Sequence, residues 1–217
     1  MSPRVDQLEA TEALSKLLRS FKIDHAIIGG FAVSLLGHRR DTEDVDVVID
    51  LPASMTGQLK QELSKHDDRF AVQHHRLSFK PTDSNDRVLI DSLPLGELGL
   101  PRELRIFTVE NCGIPILHPA VLILTKMKRC VHFINSTRPK SIIKFRNDLA
   151  DITFLLNWLA ERGEKIDFVR YNSPTVDRLY TAVADIAAYW RQAHEDDLVD
   201  LLGSVLEPSD CEKIVNR

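Results

Sequence analysis

The chain has 217 residues, of which 43% are hydrophobic and 28% are charged, and its formal net charge is −4. This composition can form a continuous core, and it excludes a protein that coats nucleic acid through overall positive charge. Three widely spaced cysteines without a C-x-x-C pair indicate neither a disulfide framework nor a zinc site. A charged N-terminal stretch unlike a signal peptide, and the lack of any uncharged apolar run of about 18 residues, lead us to expect a cytoplasmic protein without a membrane partner.

Hydrophobic periodicity, interrupted by glycine and proline, predicts the elements of the first half. In chain order these are a helix over 5–20, a strand over 25–28, a turn at Gly29-Gly30, a short helix over 31–36, a strand over 45–49 and a helix over 52–66. Two strand-like runs, 70–80 and 87–93, are joined by a turn-forming segment and predict a hairpin, and two further strands are expected at 104–109 and 114–117.

From Pro119 onward the alternation typical of strands is absent and helical patterns continue to the end. They predict helices over about 119–133, 141–161, 174–193 and 195–206. We therefore expect an α+β fold in which a small mixed β-sheet with flanking helices is followed by a helical region. The predicted domains are residues 1–118 and 119–217.

Two carboxylates, Asp44 and Asp46, stand one residue apart at the start of the predicted strand over 45–49. Side chains alternate across a strand, so both carboxylates face one side while Val45 and Val47 face the other. Like charges this close repel each other unless a cation lies between them. The pair therefore predicts a metal site, unless both residues are simply exposed at an edge of the sheet.

A third carboxylate, Asp91, interrupts the apolar run Val88-Leu-Ile-Asp-Ser-Leu93. An unpaired charge inside such a strand costs several kcal/mol, so Asp91 needs a partner, an edge position or a capping role in a turn. If its strand lies beside that of Asp44 and Asp46, the three carboxylates supply enough oxygen ligands for two Mg²⁺ ions. Such a site suits in-line attack on phosphorus.

The glycine pair between the first strand and the short helix complements the carboxylates. Gly29 and Gly30 offer backbone N–H groups with no Cβ to obstruct an anion. A triphosphate would fit there, although a Gly-Gly pair taken alone is more often a tight turn.

These residues together resemble a known signature. Gly29-Gly30, thirteen intervening residues, Asp44-Val-Asp46 and a later Asp91 are similar to the nucleotidyltransferase superfamily, whose palm is shared with DNA polymerase β. The run from Arg39 to Asp44 resembles the Arg-x-Thr/Ser-x-Asp run of its minimal and abortive-infection toxin-like branches. The helical part, from Lys126-Met-Lys-Arg129 to Asp148-x-x-Asp151, resembles fungal-type members. The resemblance covers about residues 23–160.

The resemblance implies an enzyme that transfers NMP from an NTP to an acceptor hydroxyl and releases pyrophosphate, with a palm formed by residues 1–118. It implies that Asp44, Asp46 and Asp91 are catalytic and bind Mg²⁺ or Mn²⁺. It also implies that Gly29 and Gly30 hold the triphosphate and that Thr42 or Arg39 contacts a phosphate.

The segment from Lys126 to Arg146 contains seven Lys or Arg residues and no Asp or Glu. Lys126 and Arg129, three residues apart on one predicted helical face, could therefore bind the β- and γ-phosphates of the NTP or an RNA backbone. A solvated positive surface is the alternative. The spacing of Lys144, Asp148 and Asp151 predicts ion pairs within one helix.

The acceptor stays open at this level. A small molecule, RNA and protein are all compatible with the residues, and the oligomeric state cannot be derived. A non-catalytic nucleotide-binding protein of the same fold, of a toxin or antitoxin type, is the alternative to an enzyme.

Overall fold

The structure is a computed structural model and describes residues 5–215. By its internal contacts the chain divides into two compact units, the first ending at Leu117 and the second beginning at His118. Within the described range no helix is both long and apolar enough to cross a membrane.

The first unit contains a mixed sheet and three helices within the described residues. In chain order its elements are α1 (Val5–Ser20), β1 (His25–Ile28), α2 (Gly29–Leu35), β2 (Asp44–Ile49), α3 (Thr56–His66), β3 (Phe70–Gln73), β4 (Arg76–Phe79), β5 (Val88–Pro94), β6 (Ile106–Val109) and β7 (Ile114–Leu117). A 3₁₀ turn, Ala53–Met55, precedes α3.

The seven strands form one sheet in the order β3-β4-β5-β2-β1-β7-β6. Strand β2 is central, with β5 parallel to it on one side and β1 antiparallel to it on the other. The predicted α+β class and small mixed sheet are confirmed. The order matters for function because it places the strand that carries the Asp pair directly beside the strand that carries Asp91.

The alternating sequence of β2 explains why it takes the central place. Val45 and Val47, together with Val48 and Ile49 at its end, are fully buried. Burying a side chain of this size stabilises the fold by about 1.5–3 kcal/mol. The apolar side of β2 therefore fixes the strand in the core and leaves the intervening carboxylates on the other side.

The predicted strand over 70–80 is wrong in one respect, because it is two strands. Residues His74 and His75 form the two-residue turn between β3 and β4, with φ angles of 49° and 64°. Positive φ at both positions is the conformation of a type I′ hairpin turn. The predicted antiparallel partnership with the following strand is correct, since β4 pairs with β5.

The second unit is helical throughout its described residues. Its helices are α4 (Pro119–Cys130), α5 (Pro139–Glu161), α6 (Phe168–Tyr171), α7 (Val176–Gln192), α8 (Asp196–Ser204) and α9 (Pro208–Val215). The four predicted helices are present with small shifts of their ends, and the sequence did not predict α6 and α9. Helix α4 starts with Pro119 behind His118, whose ring nitrogen accepts a hydrogen bond from the N–H of Ala120.

Candidate metal and nucleotide site

Three carboxylates meet on one side of the sheet. In the parallel ladder between β2 and β5, Asp46 lies opposite Asp91 and Asp44 lies opposite Leu89. Asp44, Asp46 and Asp91 are all half-buried, and each offers a carboxylate oxygen that lies within 4.8 Å of the other two. The sequence predicted that the three carboxylates would converge if their strands were neighbours, and the structure shows both the neighbouring strands and the convergence. Hard oxygen atoms at this spacing are the ligands that Mg²⁺ and Mn²⁺ prefer.

Gly29 lies directly against this cluster. Its φ angle is +73°, and a Cβ at this position would lie 2.1 Å from Oδ2 of Asp46. A side chain at residue 29 would therefore displace the carboxylate as well as strain the backbone. The glycine at the end of β1 is thus a requirement of the carboxylate site, in addition to any contact with a phosphate.

Gly30 lies equally close to a cation. A Cβ on Gly30 would lie 2.8 Å from the central guanidinium carbon of Arg40. The guanidinium is therefore packed onto the Gly29-Gly30 turn, next to the carboxylates. A positive group at this turn can bind the negative charge of a triphosphate.

The loop that leads into β2 is fixed from two directions. The hydroxyl of Thr42 donates a hydrogen bond to Oδ1 of Asp44 over 3.3 Å. The amide Nε2 of Gln7, on α1, donates to the carbonyl oxygen of Thr42 over 2.8 Å. Gln7 is only 3% exposed. A buried amide that ties α1 to this loop sets the direction in which Asp44 enters the cluster.

Asp91 has one described ion-pair contact, with Arg76 on β4. Nη2 of Arg76 lies 3.9 Å from Oδ2 of Asp91, and the two side chains are 60% and 38% exposed. Such an exposed pair contributes little to stability, about 0–1 kcal/mol. Arg76 can move aside at small cost when a metal ion or a phosphate takes the position next to Asp91.

Arg39 is exposed and lies in the loop before β2, directly before the half-buried Arg40. The contact of Arg39 with a phosphate stays a prediction, whereas Arg40 was not predicted, although the Arg-x-Thr-x-Asp run contains the signal. Arg40 is the arginine that stands two residues before Thr42. Gln7 was also missed, and nothing in the local sequence of α1 marks it, because its partner is a loop far along the chain.

Lys126 and Arg129 lie in the second unit and form ion pairs with α5. Nζ of Lys126 lies 2.7 Å from Oδ2 of Asp151 and 3.7 Å from Oδ1 of Asp148. Arg129 binds Asp148 through Nε over 2.8 Å and through a second, shorter contact from Nη2. The sequence expected Asp148 and Asp151 to pair along one helix with Lys144. The structure corrects this, because their cationic partners lie on α4.

Three of the four side chains in this ion-pair network are almost completely buried. Asp148 and Asp151 are 0% exposed and Lys126 is 2% exposed, whereas the side chain of Arg129 is 49% exposed. Burial lowers the pKa of the Lys126 ammonium, and the Asp151 carboxylate opposes this shift. Burial also raises the pKa of the neighbouring Cys130 thiol to about 12. The role of Lys126 and Arg129 in NTP binding stays a prediction, and Arg129 is the better placed of the two to reach a ligand in solvent.

The fold has a similar solved structure. An antigenic nucleotidyltransferase-like protein from Paracoccidioides brasiliensis superposes with a TM-score of 0.69 at 19% identity, over 95% of this chain and 96% of that chain. The antibiotic-resistance factor ANT(2″)-Ia, in complex with adenylyl-2″-tobramycin, gives a TM-score of 0.41 at 13% identity over 70% and 98% of the two chains. The lincosamide adenylyltransferase LnuA, bound to lincomycin, gives 0.36 at 16% identity over 63% and 92%.

No protein-family model and no curated protein matches the sequence. At 19% identity, the likeness to the Paracoccidioides protein shows the fold alone. The chain has the fold of a nucleotidyltransferase-like protein, and three carboxylates converge on its sheet.

Proposed function

We propose that the protein is a metal-dependent nucleotidyltransferase that moves NMP from an NTP to an acceptor hydroxyl and releases pyrophosphate. The convergence of Asp44, Asp46 and Asp91 within 4.8 Å is the observation that carries the proposal. Fold alone would not support it, because one fold hosts many functions. We also propose that the chain belongs to the minimal, abortive-infection toxin-like branch and is related to its fungal-type members.

In this proposal the three carboxylates hold Mg²⁺ or Mn²⁺. The bound metal would lower the pKa of the acceptor hydroxyl and neutralise charge on the departing pyrophosphate. Asp44 and Asp46 orient the ligand oxygens from β2, and Gly29 leaves the space that the Asp46 carboxylate needs. The closest side-chain support comes from Thr42, which holds Asp44 by a hydrogen bond.

The reaction forms a bond between the acceptor oxygen and the α-phosphorus of the NTP. It breaks the bond between that phosphorus and the oxygen that bridges to the β-phosphorus, and pyrophosphate leaves with the electron pair. The hydroxyl proton passes to Asp91 or to water. Most of the catalytic effect in such reactions comes from positioning and from stabilisation of charge.

We propose that the triphosphate binds along Gly29 and Gly30. Its negative charge would be met by the backbone N–H groups of the turn, by Arg40 and by Arg39 or Thr42 from the same loop. Arg129 is a further candidate through its exposed guanidinium. The acceptor is not assigned by this geometry, and small molecules, RNA and protein remain the three classes to be tested.

The proposal is tested by incubating the protein with each NTP labelled at the α-phosphate, with Mg²⁺ and with pools of RNA, protein and aminoglycoside or lincosamide acceptors. We expect label to enter one pool and pyrophosphate to appear in equal amount. Asp46→Asn should reduce the rate about a thousandfold, which corresponds to about 4 kcal/mol of transition-state stabilisation.

Asp50→Asn is the matched control, because Asp50 is exposed and follows the end of the same strand. It should leave the rate unchanged. NTP binding without any transfer would refute the enzyme and support the non-catalytic nucleotide-binding alternative. Equal activity of the Asp46 and Asp50 variants would refute the site.

A further inference from the structure

The basic segment between Lys126 and Arg146 separates into two groups in the structure. Lys126 and Arg129 form ion pairs with carboxylates of α5. Lys128 lies over the ring of Tyr171, 5.7 Å from the ring centroid, and burial lowers the pKa of its ammonium. These three cations are thus occupied by partners within the second unit, and their presence needs no external ligand.

The other four cations of the segment lie together at the start of α5. They are Arg138, Lys140, Lys144 and Arg146. All four are exposed, and none of them forms an ion pair with any residue of the described range 5–215. We call the surface made by these four residues, Ile143 and Asn147 the basic face.

The position of these charges is unfavourable for the helix itself. α5 has 23 residues and no acidic residue in its first turn, whereas α8 begins with Asp196 and Asp197. The first turn of a helix carries partial positive charge, so Arg138 at the N-cap and Lys140 in the first turn destabilise the helix unless an anion is bound. The four cations also repel one another. Neither helix stability nor internal pairing accounts for them, which leaves a solvated positive surface or a polyanionic ligand.

Two uncharged residues of the basic face indicate which polyanion fits. Ile143 is 59% exposed and lies between Lys140 and Lys144 on the same side of α5, and the exposed Asn147 follows one turn later. An exposed aliphatic side chain among cations offers apolar surface to the face of an unstacked base, which duplexes do not present. An amide can bind a 2′-hydroxyl, which DNA lacks.

We propose that the basic face binds single-stranded RNA, with the four cations on successive phosphates, Ile143 against a base and Asn147 near a 2′-hydroxyl. This inference goes beyond the transfer reaction and does not rest on it, because it uses only residues of α5 and of the turn before it. If the nucleotide label of the transfer assay enters RNA bound here, the RNA is an acceptor. If it does not, the RNA is a regulator.

The test measures binding of the full-length protein to a labelled single-stranded RNA of about 12 nucleotides by fluorescence anisotropy. Four neutralised phosphates give a slope of about −2.8 in a plot of log K against log salt, at about −0.7 for each phosphate of a single strand. Affinity should therefore fall about 50-fold between about 50 mM and about 200 mM salt. No binding at the lower salt concentration overturns the proposal.

Variants locate the contact. Lys140→Gln together with Lys144→Gln should halve the salt slope, and Ile143→Gln should weaken binding about tenfold without changing the slope. Lys16→Gln together with Lys65→Gln removes two exposed lysines from the first unit and is the control for net charge. If this control pair lowers affinity as much as the α5 pair does, the basic face is not the site.

Competitors distinguish the ligand class. A DNA strand of the same sequence and an RNA duplex should each bind more weakly than the single-stranded RNA. Equal binding of the DNA strand or of the duplex overturns the assignment to single-stranded RNA. Displacement of the RNA by polyglutamate at equal charge concentration also overturns it, because the basic face would then prefer an acidic polypeptide.

Discussion

Two clusters of charge, one in each unit, follow opposite rules. In the second unit Lys126 and Arg129 form ion pairs with Asp148 and Asp151, so two cations balance two carboxylates. Three of these four side chains are almost completely buried, and only that of Arg129 reaches solvent. In the first unit three half-buried carboxylates converge, and the neighbouring cations that the contacts describe are Arg76 at 3.9 Å from Asp91 and Arg40 against the adjacent turn.

The difference is that the charges of the second unit are neutralised within the chain, whereas the carboxylates of the first unit could bind an external cation. A buried pair that is balanced by its own chain needs nothing from outside, and removing one partner leaves the other charge uncompensated. Three carboxylates with water access can tolerate their repulsion, and they gain most when a divalent cation joins them. The ion-pair network of the second unit is therefore expected to respond to mutation through stability, and the carboxylate cluster of the first unit through binding.

The largest effect is expected for Lys126→Ala. The substitution leaves Asp151 buried without its 2.7 Å partner, and breaking a buried pair in this way costs about 3–5 kcal/mol. The free energy of unfolding in urea measures it. Lys144→Ala, an exposed lysine on α5, is the control and should change stability by less than about 0.5 kcal/mol. A folded Lys126 variant with weakened NTP affinity would instead favour a direct phosphate contact.

A smaller loss of stability, with a loss of metal binding, is expected for Gly29→Ala. The left-handed backbone alone costs about 1–2 kcal/mol, and the new Cβ would also displace the Asp46 carboxylate. Gly113→Ala is matched in φ, at +66°, but has no atom within 4 Å of the new Cβ. Isothermal titration with Mn²⁺ should detect a lower affinity in the first variant only. Equal affinities would show that Asp46 does not need the space at Gly29.

Adding Mg²⁺ should raise the free energy of unfolding modestly by binding to the carboxylate cluster of the first unit. At a concentration about ten times the dissociation constant, binding to the folded state contributes about 1.4 kcal/mol. The thermal midpoint should rise for the unmodified protein and stay constant for Asp46→Asn. A rise of equal size in both proteins would place the metal elsewhere.

The smallest effect is expected for Asp44→Asn without metal. Losing one of three like charges relieves repulsion, while the amide oxygen can still accept the hydrogen bond from Thr42, so stability should rise by at most about 1 kcal/mol. The gain should shrink as salt is added, since salt screens exposed charges. A loss of stability that persists at high salt would assign Asp44 a structural role.

The local parts of this site could be predicted from the sequence because they depend on short-range periodicity. The two-residue spacing of Asp44 and Asp46 fixes their common side, and an acid within an apolar run identifies Asp91. The fold class followed from the same patterns. Arg40, whose guanidinium packs against Gly30, was not singled out, because no periodicity constrains a loop, and the role of Arg39 stays a prediction.

Other features could not be predicted because they depend on tertiary contacts. The amide of Gln7 finds its partner in a distant loop, and the carboxylates of α5 pair with α4 more favourably than with Lys144 on their own helix. The turn at His74 and His75 lacks the Asn or Gly that usually marks a type I′ turn. In each case the assembled structure overrides the local preference.

The parallel pairing of β2 with β5 has a consequence for how the site comes into being. Asp46 and Asp91 lie far apart in the chain, and a parallel pair forms only after the intervening α3 and the β3–β4 hairpin have been brought round. Contacts between distant segments form late, since closing the chain costs entropy before any contact compensates for it. We therefore expect the carboxylate cluster to be completed late in folding, so that nascent or partly folded chains carry the three residues without bringing their oxygen atoms together.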